Sequence, residues 1–279
     1  IKDFTSILTL PALEREEIFG LLRSAYDGEC SKPFGNGVSR KYKSKFGILA
    51  AVTPIIDIFT EEHAALGERF LRWRNFIPDA LYLRRLYLRK AMDNVGKEIE
   101  IRAELIEISQ KVLNGKYDNI PHIDIKYENM MMDLSELISK LRGVVLRDRW
   151  SKEITHIPFT ELGTRLCKQL PKLLMGIGQF RNVEEITDYE YNIIRHVARS
   201  SIPHRLFEVL RYIYKAEIDG MSNMEISKKV GLPSSTCNLI LENMCVLGIL
   251  DRDIIDKKFR YLVKEDIFYY IQNSQLFGG

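Results

Sequence analysis

The sequence predicts an α/β fold at the N-terminal end of a helix-rich chain, on three observations. The first is the run Phe46-Gly47-Ile48-Leu49-Ala50-Ala51-Val52-Thr53-Pro54, apolar until it stops at Thr-Pro. A short apolar run bounded by breakers suits a strand buried on both faces, as in a parallel sheet. Pro54 cannot extend a central strand, so Thr53 is offered at its carboxyl end, the edge where open α/β sheets bind ligands. A buried strand with an ordinary Thr-Pro exit is the plainer reading of the same residues. The second observation is helical spacing from Leu134 to about Ser200 with no strand between helices, which predicts an all-α unit. The third is the order of elements after Pro203: helix, helix, tight turn, helix, two short strands.

Composition narrows the class. At 279 residues the chain has room for about two domains of ~100–200 residues. A 46% hydrophobic and 28% charged composition is that of a globular protein. The net charge of +3 offers no whole-molecule attraction to polyanions, so nucleic-acid contact must come from local clusters. Cys30, Cys167, Cys237 and Cys245 form no CxxC pair and have no His at ligand spacing. That argues against a zinc site or a disulfide framework and for a reducing, cytoplasmic compartment. No apolar run approaches the ~20 residues of a membrane span, and no signal peptide is evident. The chain opens on Ile inside an expected strand, so the expectation is that further sequence precedes it.

In order, Ile1 to Leu8 reads as a strand end delivering Asp3 and Thr5 to a loop. From Pro11 to Asp27, Leu13, Ile18, Leu21, Leu22 and Ala25 recur at helical spacing, and Glu14, Glu16 and Glu17 complement the helix dipole. Residues 30–47 carry Lys32, Arg40, Lys41, Lys43 and Lys45 around Gly35-Asn36-Gly37, which predicts a basic hairpin. Lys41, Lys43 and Lys45 can touch phosphates there without reading sequence; a solvated charged loop is the alternative. A helix is expected from Pro54 to Ala65, then an edge strand or turn over 66–74 holding Arg69, Arg72 and Arg74. Residues 78–113 read as helix interrupted at Asn94-Val95-Gly96, and 115–119 as a linker. Asp133 is expected to cap the next helix, with Leu134, Leu137, Ile138, Leu141, Val144 and Val145 on one face. A helix is expected to open at Pro158 and run to Gln179, and Thr187 to Glu190 has the order of a capping box.

Beyond Pro203, helices are expected around Leu206–Ile213, over 223–230 and over 234–247, with Gly231-Leu232-Pro233 as the turn. Residues 248–252 and 259–263 alternate as two strands, which completes a winged helix-turn-helix. In that arrangement Ser234, Ser235, Thr236 and Asn238 face DNA, and Lys257, Lys258 and Arg260 sit on the wing. Winged helices also make protein contacts, and this recognition helix is poor in Lys and Arg.

Placed in this order, the pieces resemble the later half of an AAA+ P-loop ATPase. The layout is nearest to the minichromosome maintenance helicases, and looks most like the ATPases of phages and mobile elements that end in a MarR-like winged helix. The resemblance implies residues 1–115 as the C-terminal portion of an AAA+ core with a partial parallel sheet, 116–202 as an all-α lid and 203–279 as the winged helix-turn-helix. Asp3 matches the acid closing the Walker B strand, which holds the Mg2+ of ATP. The basic hairpin falls ahead of sensor 1, and Thr53 falls at sensor 1. Arg69 in Gly67-Glu68-Arg69-Phe70 matches the arginine finger that reaches a neighbouring subunit's γ-phosphate, and Arg165 in Gly163-Thr164-Arg165-Leu166 matches sensor 2. The function implied by the resemblance is that of an ATP-driven DNA helicase or translocase working as a homo-oligomeric ring. Three features depart from the pattern. No GxxxxGK[ST] loop occurs, Phe4 stands where many relatives place a water-activating Glu, and Thr53 replaces the usual Asn. The competing reading is a DNA-binding regulator or replication-initiation adaptor that assembles without hydrolysing ATP; a helical scaffold with a protein-binding winged helix is the third.

Overall fold

The computed structural model describes residues 1–33, 39–43, 47–57, 70–75, 80–115, 117–148, 150–156, 158, 160–255 and 258–278, with the backbone alone for 30–33 and 39–40. The architecture is helix-rich, and its strands among the described residues form two separate antiparallel pairs.

The predicted parallel sheet is not formed among the described residues. The stretch 47–53 is irregular, and Leu49 is 90% exposed rather than buried on both faces. One neighbour accounts for this. The Ile1 amino group donates to Leu49 O at 2.7 Å, Ala51 N to Ile1 O at 3.0 Å and Phe4 N to Ala51 O at 2.8 Å. Residues 1–4 and 49–51 therefore run side by side in the same direction, with Phe4 and Ala50 toward the small core and Leu49 and Ala51 exposed. The predicted strand over 1–8 ends early in a single turn of helix, α1 (Thr5–Leu8), followed by α2 (Ala12–Tyr26) as expected. Phe4, Leu8 and Phe19 form a small core, with the Phe4 and Phe19 rings edge to face at 5.8 Å.

The basic hairpin is present as β1 (Glu29–Pro33) and β2 (Ser39–Lys43), Glu29 opposite Lys43 and Pro33 opposite Ser39. Its Gly-Asn-Gly turn and Lys45 lie outside the described residues. A 3-10 turn, Pro54–Asp57, stands where a helix is expected to start; the remainder of that expectation, and Arg69, lie outside the described residues. Two helices follow, α3 (Leu81–Asp93) and α4 (Glu98–Leu113), parted at 94–96 where Gly96 takes φ +82°.

From residue 117 onward one continuous core runs from Tyr127 to Leu276. Its first helix, α5 (Ile125–Leu141), starts well before the expected position. Asp124, not Asp133, is the cap, accepting from Lys126 N at 2.7 Å, because Tyr127, Met130 and Met131 carry the buried face a further two turns back. Asp133 lies mid-helix, where Asn273 donates to its carboxylate. The next helix, α6 (Leu166–Arg181), begins after the predicted Pro158 because 161–163 is strapped across α5 instead. The capping box of α7 (Asp188–Ser201) is formed as predicted. Then come α8 (His204–Ala216), α9 (Asn223–Val230) and α10 (Ser234–Val246), with Gly231 at φ +70° ending α9. The hairpin β3 (Leu250–Ile255) and β4 (Lys258–Val263) and a last helix, α11 (Glu265–Asn273), complete the chain. No helix among the described residues is long and apolar enough to cross a membrane.

Candidate functional site

Of the residues singled out for nucleotide chemistry, Asp3 and Thr53 come together. Asp3 Oδ1 accepts from Thr5 N at 3.0 Å, a local turn that a carboxylate two residues earlier makes readily. The Thr5 hydroxyl then accepts from Thr53 N at 3.1 Å and lies 3.3 Å from the Thr53 hydroxyl. The side-by-side run of 1–4 and 49–51 is what puts both chain ends at one edge. Thr5 is the bridge, and the sequence offers no sign of that role beyond a hydroxyl near Asp3. Phe4, between Asp3 and Thr5, is buried against Phe19 and Phe70.

Beside this junction lies a cavity of about 400 Å³, lined by Phe4, Thr53, Phe70, Trp73, Arg74 and Ser200 among others. The wall formed by 70–75 is stitched to the end of α7. Arg72 N donates to Ser201 Oγ at 3.2 Å and Arg74 N to Ser200 Oγ at 3.0 Å. A His196 ring nitrogen meets Arg74 O at 2.9 Å, and its ring lies 4.0 Å from that of Trp73. Both serines are buried, so these bonds satisfy groups that would otherwise be costly inside. Asp57 takes a bidentate pair from Arg74, both bonds 2.8 Å, with Arg72 at 3.8 Å. Two of the three clustered arginines are thus engaged in holding the fold. The sequence signal for this is the Ser200-Ser201 pair at the end of an amphipathic helix, visible only once its partner segment is known.

Arg165 stands at the entry to α6. Its guanidinium is 3.8 Å from Glu161, and one turn on Gln169 donates to the Tyr26 hydroxyl at 3.2 Å, tying α6 to α2. The strap before it is fixed on α5: Ser139 donates to Glu161 O, and Gly163 N donates to Glu136 Oε1 at 3.0 Å.

The second candidate surface is carried by α9, α10 and β3–β4. Met221 and Tyr261 exchange backbone bonds of 3.0 and 2.9 Å, which clamps the hairpin to the entry of α9. Asn223 Nδ2 donates to Ser234 O and Oγ, both 3.2 Å, fixing the start of α10 against α9. Ser234 and Ser235 are exposed there, Thr236 is half-buried at the next position, and Asn238, also half-buried, donates to Glu242 at 2.7 Å. Lys258 is exposed at the start of β4; Lys257 lies outside the described residues. Arg260 is engaged in the fold, donating to Asp219 O at 3.2 Å and Gly220 O at 3.0 Å, with Glu225 at 3.7 Å. Glu225 is held below the usual carboxylate range by the Ser222 N–H first and its hydroxyl second, with Arg260 and Lys258 adding. Lys228 and Lys229, at the end of α9, add to the basic side chains of this unit, and nothing in the sequence sets them apart. On the other hairpin, Lys41 pairs with Glu29 and Lys43 is exposed.

No protein-family model, no curated protein and no solved structure matches the chain.

Proposed function

We propose that this chain is the DNA-gripping part of an ATP-driven DNA motor, a helicase or translocase of the AAA+ class. The observation that carries the reading is the unit at 204–263: two helices, a tight turn, a third helix with an exposed Ser-rich start, and an antiparallel hairpin clamped beside them. Read as a winged helix, it lays α10 in the major groove and sets Lys258 on the backbone. Ser234 and Ser235 offer few strong base contacts, so phosphates dominate and sequence preference is weak.

The Asp3–Thr5–Thr53 junction supports the motor half of the reading. One carboxylate and two hydroxyls are oxygen donors that a hard divalent cation accepts, yet too few to hold it unaided. No cluster of His, Cys, Asp or Glu suited to a metal occurs among the described residues, so Mg2+ would arrive with ATP. Asp3, Thr5 and Thr53 would hold the Mg2+ of the nucleotide, which would supply neutralisation of the phosphate charge. Thr5 N–H orients the Asp3 carboxylate, the Thr5 hydroxyl positions Thr53, and Arg165 is the cation at the lid helix.

The test is a salt titration of duplex-DNA binding by the whole chain. Lys228→Ala/Lys258→Ala should flatten the slope of log affinity against log salt by about 0.9 for each phosphate that is no longer neutralised. Ser235→Ala should lower affinity without changing the slope. Coincident slopes for wild type and the double variant, or no affinity even at low salt, would sink the DNA reading and favour a protein-contact module.

The adaptor reading has one observation in its favour: Phe4, where a water-activating carboxylate is expected, is committed to the small core. ATP turnover that requires Asp3 separates motor from adaptor.

A further inference from the structure

α3 and α4 are built unlike the rest of the molecule: neither contains a single buried residue. Their sequences are nonetheless not those of solvated helices. On α4, Ile101, Leu105, Ile108 and Val112 recur at spacings of four, three and four, the seam of a helix meant to pack against another. Leu105 and Ile108 are 59% and 56% exposed. On α3, Leu88 and Met92 fall one turn apart and are 66% and 68% exposed. An apolar surface of this extent, rimmed by charge, marks an interaction site.

The charges say what covers it. α3 carries Arg84, Arg85, Arg89 and Lys90 against the single acid Asp93, whereas α4 carries Glu98, Glu100, Glu104 and Glu107 against Arg102 and Lys111. Two ion pairs among the described residues of these helices are internal to each: Arg89 with Asp93 at 3.5 Å and Lys111 with Glu107 at 2.7 Å. Each helix therefore offers an apolar stripe whose rim is dominated by one sign, basic on α3 and acidic on α4. An anionic membrane or a nucleic acid would suit α3 and be repelled by α4. A second copy suits both at once, because a two-fold axis sets the α3 of each chain on the α4 of the other.

We propose that α3 and α4 form a self-association surface on which two copies of this chain pair reciprocally, basic helix on acidic helix. The inference does not rest on the nucleotide or DNA readings.

The experiment is sedimentation equilibrium on the whole chain with two charge-reversed variants, Arg84→Glu/Arg85→Glu and Glu100→Lys/Glu104→Lys. These positions lie on helices without buried residues, and circular dichroism checks that helix content is kept. The wild type should sediment at twice the chain mass at micromolar concentration. Each variant alone should raise the dimer dissociation constant at least ~10-fold, because like charges then face each other. Mixed together, the two should pair again, since the acidic α3 of one meets the acidic-to-basic reversed α4 of the other. A monomeric wild type, variants that dimerise as the wild type does, or a mixture that stays monomeric would each overturn the proposal, the last two pointing to a partner other than this surface.

Discussion

Glu190 shows how much one side chain can hold. It is 1% exposed, yet accepts from Thr187 N at 2.9 Å and Thr187 Oγ1 at 2.6 Å, and pairs with Arg181. Burial pushes its carboxyl upward, but the Thr187 bonds and the Arg181 charge outweigh this and hold it below the ordinary glutamate range. A carboxyl depressed in the folded state adds stability that is fully present above its unfolded pKa and is lost as pH falls through the folded one. Glu190→Gln keeps the shape but lacks the charge and one acceptor, so it should cost about 1–3 kcal/mol at neutral pH. Thermal melts check this in two ways: the variant should melt lower at pH 7, and the gap should narrow steadily as the pH is taken below the glutamate range. An unchanged gap in acid would mean that packing, not charge, accounts for the loss. The box itself is readable from Thr187 and Glu190; the Arg181 partner, from the helix before, is not.

At the scale of elements, the strap over 161–163 decides where α6 begins and so where Arg165 stands. A Cβ at Gly163 would lie 2.6 Å from Ser135 O and 2.7 Å from Ser135 C, main-chain atoms inside α5 that cannot step aside. Gly163→Ala should therefore destabilise by about 1–3 kcal/mol, the usual cost of forcing atoms into a packed contact, and should loosen the Arg165 end of α6. A denaturant midpoint equal to wild type would refute that close approach. The strap also explains which elements are legible in the sequence. Helices opening on a side-chain cap or closing on a glycine, such as α7 and α9, have limits that can be read directly because the signal is local. The late start of α6 and the early start of α5 escape such a reading, since one depends on backbone approach between distant segments and the other on how far a buried face extends. The run 47–53 departs from expectation for the same reason: apolar content marks a strand, but only neighbours make it buried. Within the candidate site, Asp3 and Thr53 are legible as polar ends of two runs. Thr5 is legible beside Asp3 in the same loop, but its bridge to Thr53 is not, nor are Asp57 and the Ser200-Ser201 pair, because each acts on a segment removed from it in sequence.

Across the whole molecule, stability is divided unequally. The core from Tyr127 to Leu276 joins α5 through α11, whereas Phe4, Leu8 and Phe19 are the fully buried apolar residues of the N-terminal cluster. α2 buries only Arg15 and Phe19, and Arg15 clasps Leu8 O at 3.2 Å and Leu10 O at 3.0 Å. Opening this cluster exposes little apolar surface, so it should occur well below the free energy of global unfolding. The carboxylate and hydroxyls proposed to meet nucleotide would thus sit on the yielding part of the chain, and the proposed DNA grip on the rigid part. Native-state hydrogen exchange measures the difference directly. Amides of α2 should exchange through a low-energy opening while those of α5 and α7 wait for global unfolding, with the two sets separating at low denaturant. If α2 and α5 are protected equally and merge into one isotherm, the small core is coupled to the large one, and the junction at Asp3 and Thr53 is as rigid as the rest.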